Sequence, residues 1–364
     1  HPRPLSHVRR RKVIRTIQII DNLTMKHLIL AALAASLPIL ASAQMMPDST
    51  VQVCAYWSKG DRIAYECKVT EYRIGADSTK TTTKSSSETR IFEVLEETDT
   101  SYVLQTSYKD VFSSDMSLGI GAELTNKLGE SVVIRTLTNE FGAVRGILNP
   151  EELAETMKQQ APLIVDGICA KYNKKELEES GMDLQELVRN VTEVFGNEQY
   201  IMNLCGQDVY PLFFYHGTRL DMDSQYTMKY EFPNLIPGSE LTLETDLYFW
   251  VDKEQSDSTF VVIRSCADLD NEALKPVVRE SILNALKLTG VTEDTMSHEE
   301  LMVVLDQYME EAQMQMSVKY NTAIQIHLAT GWPTYYWSER RILATTKLGT
   351  AEQVEEQEIS YAKE

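Results

Sequence analysis

The residues best suited to acid–base chemistry are sparse in this sequence. Beyond residue 43 the chain holds three histidines, His216, His298 and His327. A zinc-protease helix needs a second histidine four residues after the first, and Met302 occupies that position after His298. The sequence contains neither the phosphate-cradling G-x-x-x-x-G-K motif nor the nucleophile-elbow G-x-S-x-G motif. We therefore predict structural roles for the histidines and no catalytic residue.

Two acidic clusters contain residue types that bind calcium, at 221–223 and at 268–272. A calcium loop of the EF-hand type needs a glycine at its turn, whereas Ala273 follows the second cluster and helix signals begin at once. We interpret the second cluster as a helix start, with Asp270 or Asn271 as the N-cap. The sequence predicts no metal site and no cofactor.

Five cysteines lie beyond residue 43, and no two of them form a C-x-x-C pair or a zinc-binding pattern. Cys67 alternates in phase with Ile63 and Tyr65, which predicts a buried thiol on a core-facing strand. An exported chain is permitted disulfides, so the pairing stays open. The five are Cys54, Cys67, Cys169, Cys205 and Cys266.

An aromatic cluster beside a pair of arginines is the best candidate for a binding surface, with core packing as the more common alternative. On a strand, Tyr335 and Trp337 share one face and Tyr336 takes the other, which predicts at least one ring in the core. The candidate ligand or partner surface consists of Trp332, Tyr336, Trp337 and Arg340.

The charge balance is acidic. The whole chain carries 35 Lys and Arg against 54 Asp and Glu, a net charge of −19. Residues 1–43 hold seven of these cations and one anion, so 28 cations and 53 anions remain, a net charge of −25. Such a surface repels phosphate backbones and anionic membranes, and nucleic-acid binding is not predicted.

Residues 25–43 have the three parts of a secretory signal peptide. A positive start at Met25-Lys26-His27 precedes the apolar run 28–40, and Ala41-Ser42-Ala43 supplies small residues for cleavage before Gln44. The apolar run is shorter than the ~20 residues that cross a bilayer, which favours a signal peptide over a membrane anchor. Residues 1–24 are interpreted as an upstream or non-native segment.

The predicted product is exported, periplasmic or extracellular, and soluble. No cysteine follows the apolar run directly, so a lipid anchor is not expected. No later segment of the sequence is long and apolar enough to predict a transmembrane helix. The oligomeric state stays open.

Two parts of the chain repeat one pattern of strands. Phe92-Glu93-Val94 matches Phe249-Trp250-Val251, and each part ends in a hairpin with a glycine at its turn, Gly142 and Gly331. Helical periodicity fills the inserts, which predicts an α+β fold. The sheet is expected to be antiparallel, curved and half-barrel-like, built from two diverged repeats. The predicted organisation is a first β-rich repeat at 44–150, a helical insert at 151–219, a second β-rich repeat at 220–345 with helices at 271–316, and an acidic C-terminal tail at 346–364.

The entry segment 56–61, the long alternating strands and the closing hairpin at 330–333 resemble uncharacterised exported envelope proteins of Gram-negative bacteria. More distantly, the chain is similar to the half-barrel of the outer-membrane lipoprotein carrier, in which a sheet curls over helices and holds an acyl chain. The resemblance implies a non-enzymatic role in binding an apolar ligand, and it transfers no functional residue.

Two functional hypotheses follow from the sequence. The favoured one is a non-catalytic envelope protein that binds a lipid-like ligand or a partner protein at the concave sheet face or in a helix–sheet crevice. The alternative is an envelope hydrolase with an unrecognised carboxylate site, which would show two facing carboxylates with shifted pKa values in a cleft.

Overall fold

The computed structural model describes residues 44–45, 49–75, 78–113, 129–171, 184–232, 243–288, 298–347 and 349–362. The predicted signal peptide and the upstream segment lie outside these residues. The strands are β1 (Gln44–Met45), β2 (Thr50–Gln52), β3 (Arg62–Ile74), β4 (Lys80–Thr98), β5 (Ser101–Ser113), β6 (Val133–Asn139), β7 (Val144–Ile147), β8 (Arg219–Asp221), β9 (Gln225–Phe232), β10 (Leu243–Val251), β11 (Phe260–Leu269), β12 (Gln315–His327), β13 (Pro333–Thr346) and β14 (Gly349–Tyr361). The helices are α1 (Pro150–Lys171), α2 (Leu184–Phe195), α3 (Glu198–Phe213), α4 (Asn271–Leu288) and α5 (His298–Ala312).

Eleven of these strands form one antiparallel sheet in the order β7-β6-β5-β4-β3-β14-β13-β12-β11-β10-β9. The α+β class is confirmed, and a large open, curved sheet fits this order of strands. Strands β3 to β7 form one meander and β9 to β13 form another with the same sequential order. Strand β14 lies between the two and pairs with β13 on one side and β3 on the other.

One face of the sheet, here called the inner face, packs against the helices. The alternation predicted for β3 places Tyr65 and Cys67 in the core, as expected for a strand with one solvated face. Helix α3 contributes Phe213, whose ring meets Phe92 of β4 edge-on at 5.3 Å between centroids. Helix α4 buries Leu274 in the same core. The helical inserts thus cover part of the inner face.

The prediction of an acidic tail at 346–364 is wrong for most of this range. Residues 349–361 form β14, which is a central strand with a partner on both sides. Its glutamates are tolerated because cross-strand cations meet them: Arg341 Nη1 donates to Glu352 Oε1 at 2.6 Å, and Arg340 Nη2 donates to Glu355 Oε2 at 2.9 Å. The strand cannot be recognised in the sequence, because it has too few apolar residues to show the alternation typical of a strand.

The Thr- and Ser-rich stretch before Ile91 is also strand, because β4 begins at Lys80. β-branched threonine fits a pleated surface, and this part of β4 pairs with β3 along its length. Apolar residues begin only at Ile91, so the first part of β4 carries no apolar period in the sequence.

The two closing hairpins have the same turn chemistry. Gly142 between β6 and β7 has φ +90°, and Gly331 between β12 and β13 has φ +73°. Both lie in the left-handed region, as the sequence predicted. The apolar stretches Tyr102-Val103-Leu104 and Phe260-Val261-Val262 also suggest matching positions for Tyr102 and Phe260, and this match is wrong. Tyr102 faces the core, whereas on β11 the core residue is Val261 and not Phe260. A shift of one residue along a strand turns a side chain to the other face.

Residues 44–52 do not join the first meander. Strands β1 and β2 pair with β8 in a small separate sheet, in the order β1-β2-β8. The chain then passes between the two closing hairpins: Ala55 N donates to Phe141 O at 2.9 Å and Tyr56 N donates to Thr330 O at 3.2 Å. Residues 53–57 therefore connect the two meanders at one end of the sheet.

Candidate functional site

The predicted binding surface is not a single exposed patch. Trp332, Tyr336 and Arg340 are buried, with exposed fractions of 7%, 2% and 8%. Trp337 is half-buried and alternates to the opposite, outer face of β13. The structure thus brings Tyr336 and Arg340 together on the inner face and separates them from Trp337.

Trp332 belongs to an aromatic cluster at the end of the sheet where residues 53–57 cross. Its ring stacks on Trp57 at 4.4 Å between centroids, and Trp57 meets Phe213 of α3 edge-on at 5.4 Å. Gly331 and Gly142 allow this packing, because their backbones lie against Ala55 with no room for a side chain. The cluster is core packing that joins both meanders to α3.

His216 lies in the same cluster and has a structural role. Its Nε2 lies 2.9 Å from Gly331 O, and because a carbonyl only accepts, Nε2 donates the proton. Burial lowers the pKa of His216 to about 3, so the ring is neutral at physiological pH. His216 therefore fastens the β12–β13 turn to the loop after α3.

An ionic cluster around the buried Arg90, with two partly exposed carboxylates, joins α3 to the inner face beside the aromatic core. Arg90 of β4 donates to Asp208 Oδ1 at 2.7 Å and to the Asp208 carbonyl at 2.6 Å. It also contacts Glu88 Oε1 at 2.5 Å, and Tyr108 Oη donates to Asp208 Oδ2 at 2.7 Å. Burial raises the pKa of Glu88, and the charge of Arg90 opposes that rise. We call these four residues the Arg90 cluster.

A second polar cluster lies on the inner face of β12 and β13. Tyr320 and Tyr336 share a hydrogen bond of 2.9 Å between their hydroxyls, and burial raises the pKa of both. Arg340 follows on the same face, paired with Glu355 of β14. Glu355 of β14 lies opposite Glu71 of β3 in the pairing of these two strands. Lys84 Nζ lies 3.1 Å from Glu71 Oε1. Each of these carboxylates has a cation beside it.

The chemistry available on this inner face is limited by those pairings. Catalysis by carboxylates needs one that is free to exchange a proton with a substrate, and metal binding needs ligands not already held by arginine. Within the described residues no group of three or more His, Cys, Asp or Glu side chains is placed to hold a metal ion. The interior polar groups serve to fasten elements together.

An open groove of about 590 Å³ lies between α4, α5 and the ends of β12 and β13. Methionines Met309 and Met314 are its apolar side chains. Two ion pairs line it, Glu272–Lys275 at 2.8 Å within α4 and Arg279–Asp306 at 2.5 Å between α4 and α5. The remaining lining residues are Asn271, Glu310, Gln313, Gln315, Thr345, Thr346 and Lys347.

Several other residues singled out in the sequence have structural placements, whereas the side chains of Cys169 and His298 lie outside the described ones. Asp270 caps α4, accepting from Glu272 N at 3.1 Å and Ala273 N at 3.0 Å, which confirms the helix-start interpretation. Cys54, Cys67, Cys205 and Cys266 are free thiols. Burial raises the pKa of Cys67 and of Cys205 to about 12, which keeps both protonated and unreactive.

Sequence reasoning missed the Arg90 cluster and the groove. A signal for Arg90 was present, since it occupies a core-facing position of β4 two residues before Phe92, where a charge needs a buried partner. No sequence signal identified Asp208 as that partner, because 118 residues separate the two. The groove residues come from four separate elements and share no motif.

A comparison of the sequence with protein-family models gave no match. A comparison with curated proteins gave no match either. Among the described residues, the structure contains no helix with the length and apolar character needed to span a bilayer.

Proposed function

We propose that the protein is an exported, soluble, non-catalytic envelope protein that binds a lipid-like ligand or a partner protein. The observation that carries the proposal is the state of the interior carboxylates. Glu88 and Asp208 are held by Arg90, and Glu355 is held by Arg340. An arginine that donates to a partly buried carboxylate occupies its lone pairs and opposes the rise in pKa that burial causes, which suits fastening of elements.

The groove beside α4 and α5 supports a binding role. Its volume of about 590 Å³ falls within the ~300–1,000 Å³ range of small-ligand sites. It lies where α4 and α5 meet the ends of β12 and β13.

Native mass spectrometry of the protein isolated from the envelope of its own cells tests the binding function. We expect a non-covalent adduct that is lost on denaturation. The carboxylate hydrolase would be supported instead by a protein that carries no adduct, shows no increase in mass when ligands are added, and hydrolyses an ester or a glycoside.

We infer that the working chain begins at Gln44, in the periplasm or outside the cell. The three-part pattern of residues 25–43 supports this inference. N-terminal sequencing of the exported form should start at Gln44. A mature chain that retains the apolar run 28–40 would contradict it.

We also infer that the two meanders arose by duplication. The shared strand order and the two left-handed turn glycines support this origin. Superposition of β3–β7 on β9–β13 tests it, and a superposition that pairs inner with outer faces would remove the support.

A further inference from the structure

We propose that the groove between α4, α5 and the ends of β12 and β13 binds an extended peptide segment of a partner protein, with Gln313 as a positioning residue for its backbone. The inference rests on the proposed binding function and names its site and ligand chemistry. The residue that follows α5 has an unusual backbone conformation.

Helix α5 ends in a Schellman motif, whose left-handed position is most often glycine. Gln313 N donates to Glu310 O at 3.0 Å and Met314 N donates to Met309 O at 3.1 Å, the two hydrogen bonds of that motif. The residue between them is Gln313, with φ +50°. Glycine adopts this conformation without strain, whereas a glutamine side chain makes it costly.

Stability does not explain glutamine at this position, because the side chain is exposed and lines the groove. Lys347 N donates to Ala312 O at 2.9 Å, so the β13–β14 turn already completes the helix end. Residues held in strained backbone conformations concentrate at ligand sites, where the cost is offset by function.

The groove chemistry suits a peptide better than a hydrocarbon chain. Only Met309 and Met314 among its thirteen lining residues have apolar side chains. A carboxamide carries both a donor and an acceptor, which matches a peptide group, and Gln313 and Gln315 present two carboxamides at exposed positions. Methionine adapts to side chains of different shape.

The charges of the groove fit the same ligand. Three cations, Lys275, Arg279 and Lys347, are balanced by three anions, Glu272, Asp306 and Glu310. A balanced lining does not select an anionic or cationic head group, and it accepts a neutral backbone with flanking charges of either sign.

The test uses the full mature chain labelled with carbon-13 at methionine methyl groups, with three probes: a pool of random blocked hexapeptides, hexadecanoate and maltohexaose. We expect the peptide pool to shift the Met309 and Met314 resonances and the other two probes to leave them unchanged. Gln315→Trp, which fills the groove, should abolish the shift. Gln225→Trp, at an exposed position of β9 outside the groove, should retain it.

Gln313→Gly separates binding from folding. We expect it to raise the melting temperature, because glycine relieves the left-handed strain, and to weaken peptide binding several-fold. A lower melting temperature, or unchanged binding, would overturn the role of Gln313.

Shifts with hexadecanoate or maltohexaose but not with peptides would overturn the ligand chemistry. Absence of a shift with every probe would overturn the site. In either case an adduct in native mass spectrometry would leave the proposed binding function standing, so the two failures are distinguishable.

Discussion

At the scale of single residues, the most constrained positions are those where the two closing hairpins meet residues 53–57. A Cβ atom built on Gly331 would lie 2.8 Å from Ala55 Cα and 3.0 Å from Cys54 C, in addition to a closer approach to the Cys54 carbonyl oxygen. These neighbours are backbone atoms, which cannot move aside as the end of a flexible side chain can.

Gly331→Ala should therefore destabilise the protein by about 2–5 kcal/mol, from left-handed strain of ~1–2 kcal/mol and overpacking of ~1–3 kcal/mol. Urea unfolding measures the change. Gly60→Ala is the matched control, because Gly60 has φ +92° with no atom near the added Cβ, and it should show the strain alone. Equal losses in the two variants would mean that the close approach to residues 53–57 costs nothing.

His216 should give folding stability a pH dependence. The folded-state pKa of about 3 lies below the ordinary value of 6.5, so between these values the unfolded chain binds a proton that the folded chain does not. The free energy of unfolding should therefore fall as the pH falls from about 6.5 towards 3. The full effect is on the order of 5 kcal/mol, at ~1.4 kcal/mol per unit of pKa difference.

Unfolding curves of the wild type and His216→Gln between pH 4.5 and 7 check this expectation. The raised pKa of Glu88 acts in the opposite direction, since the folded state binds the extra proton there, and the comparison of the two proteins cancels it. Parallel pH profiles would show that His216 does not titrate differently on unfolding.

At the scale of elements, the Arg90 cluster decides how α3 is attached to the sheet. Arg90 binds both the side chain and the backbone carbonyl of Asp208, so the helix is held in one rotation as well as one position. Apolar packing of α3 alone is less directional.

Arg90→Met should destabilise the protein by about 1–3 kcal/mol, because it leaves the partly buried carboxylates of Glu88 and Asp208 without their cation. Arg135→Met removes a mostly exposed pair with Glu152 and should cost less than ~1 kcal/mol. Adding Asp208→Asn to Arg90→Met should restore part of the loss in a double-mutant cycle, measured by urea unfolding. Strict additivity would show that the two residues do not interact energetically.

At the scale of the whole molecule, β14 makes the two meanders one sheet. It pairs with β13 from Tyr335 to Thr346 and with β3 from Tyr65 to Ile74. Without it, both neighbouring strands would have open edges with unpaired backbone groups.

Removal of residues 347–364 should therefore abolish cooperative unfolding. If these residues were only a tail, their removal would leave the unfolding transition unchanged. Circular dichroism during urea titration measures the transition. Removal of residues 363–364 alone is the control and should leave the transition unchanged, because β14 ends at Tyr361. A cooperative transition in the longer truncation would mean that the meanders fold independently.

The sequence by itself determined the local features of this protein. The alternation of Ile63, Tyr65 and Cys67 places these residues on one face of a strand, whatever that strand pairs with. The turn glycines Gly142 and Gly331 and the capping residue Asp270 follow from backbone geometry within a few residues. Such features can be read locally because their energies depend on neighbours in the chain.

Only the tertiary structure decided which residues meet across long separations. The partner of Arg90 is on a helix 118 residues away, and the glutamates of β14 become tolerable only beside Arg340 and Arg341. Trp332 and Tyr336 looked like a surface in the sequence, and their burial depends on residues 53–57 and α3 covering them. Pairing between distant strands and helices is set by the summed burial and hydrogen bonding of the whole chain, which no local period encodes.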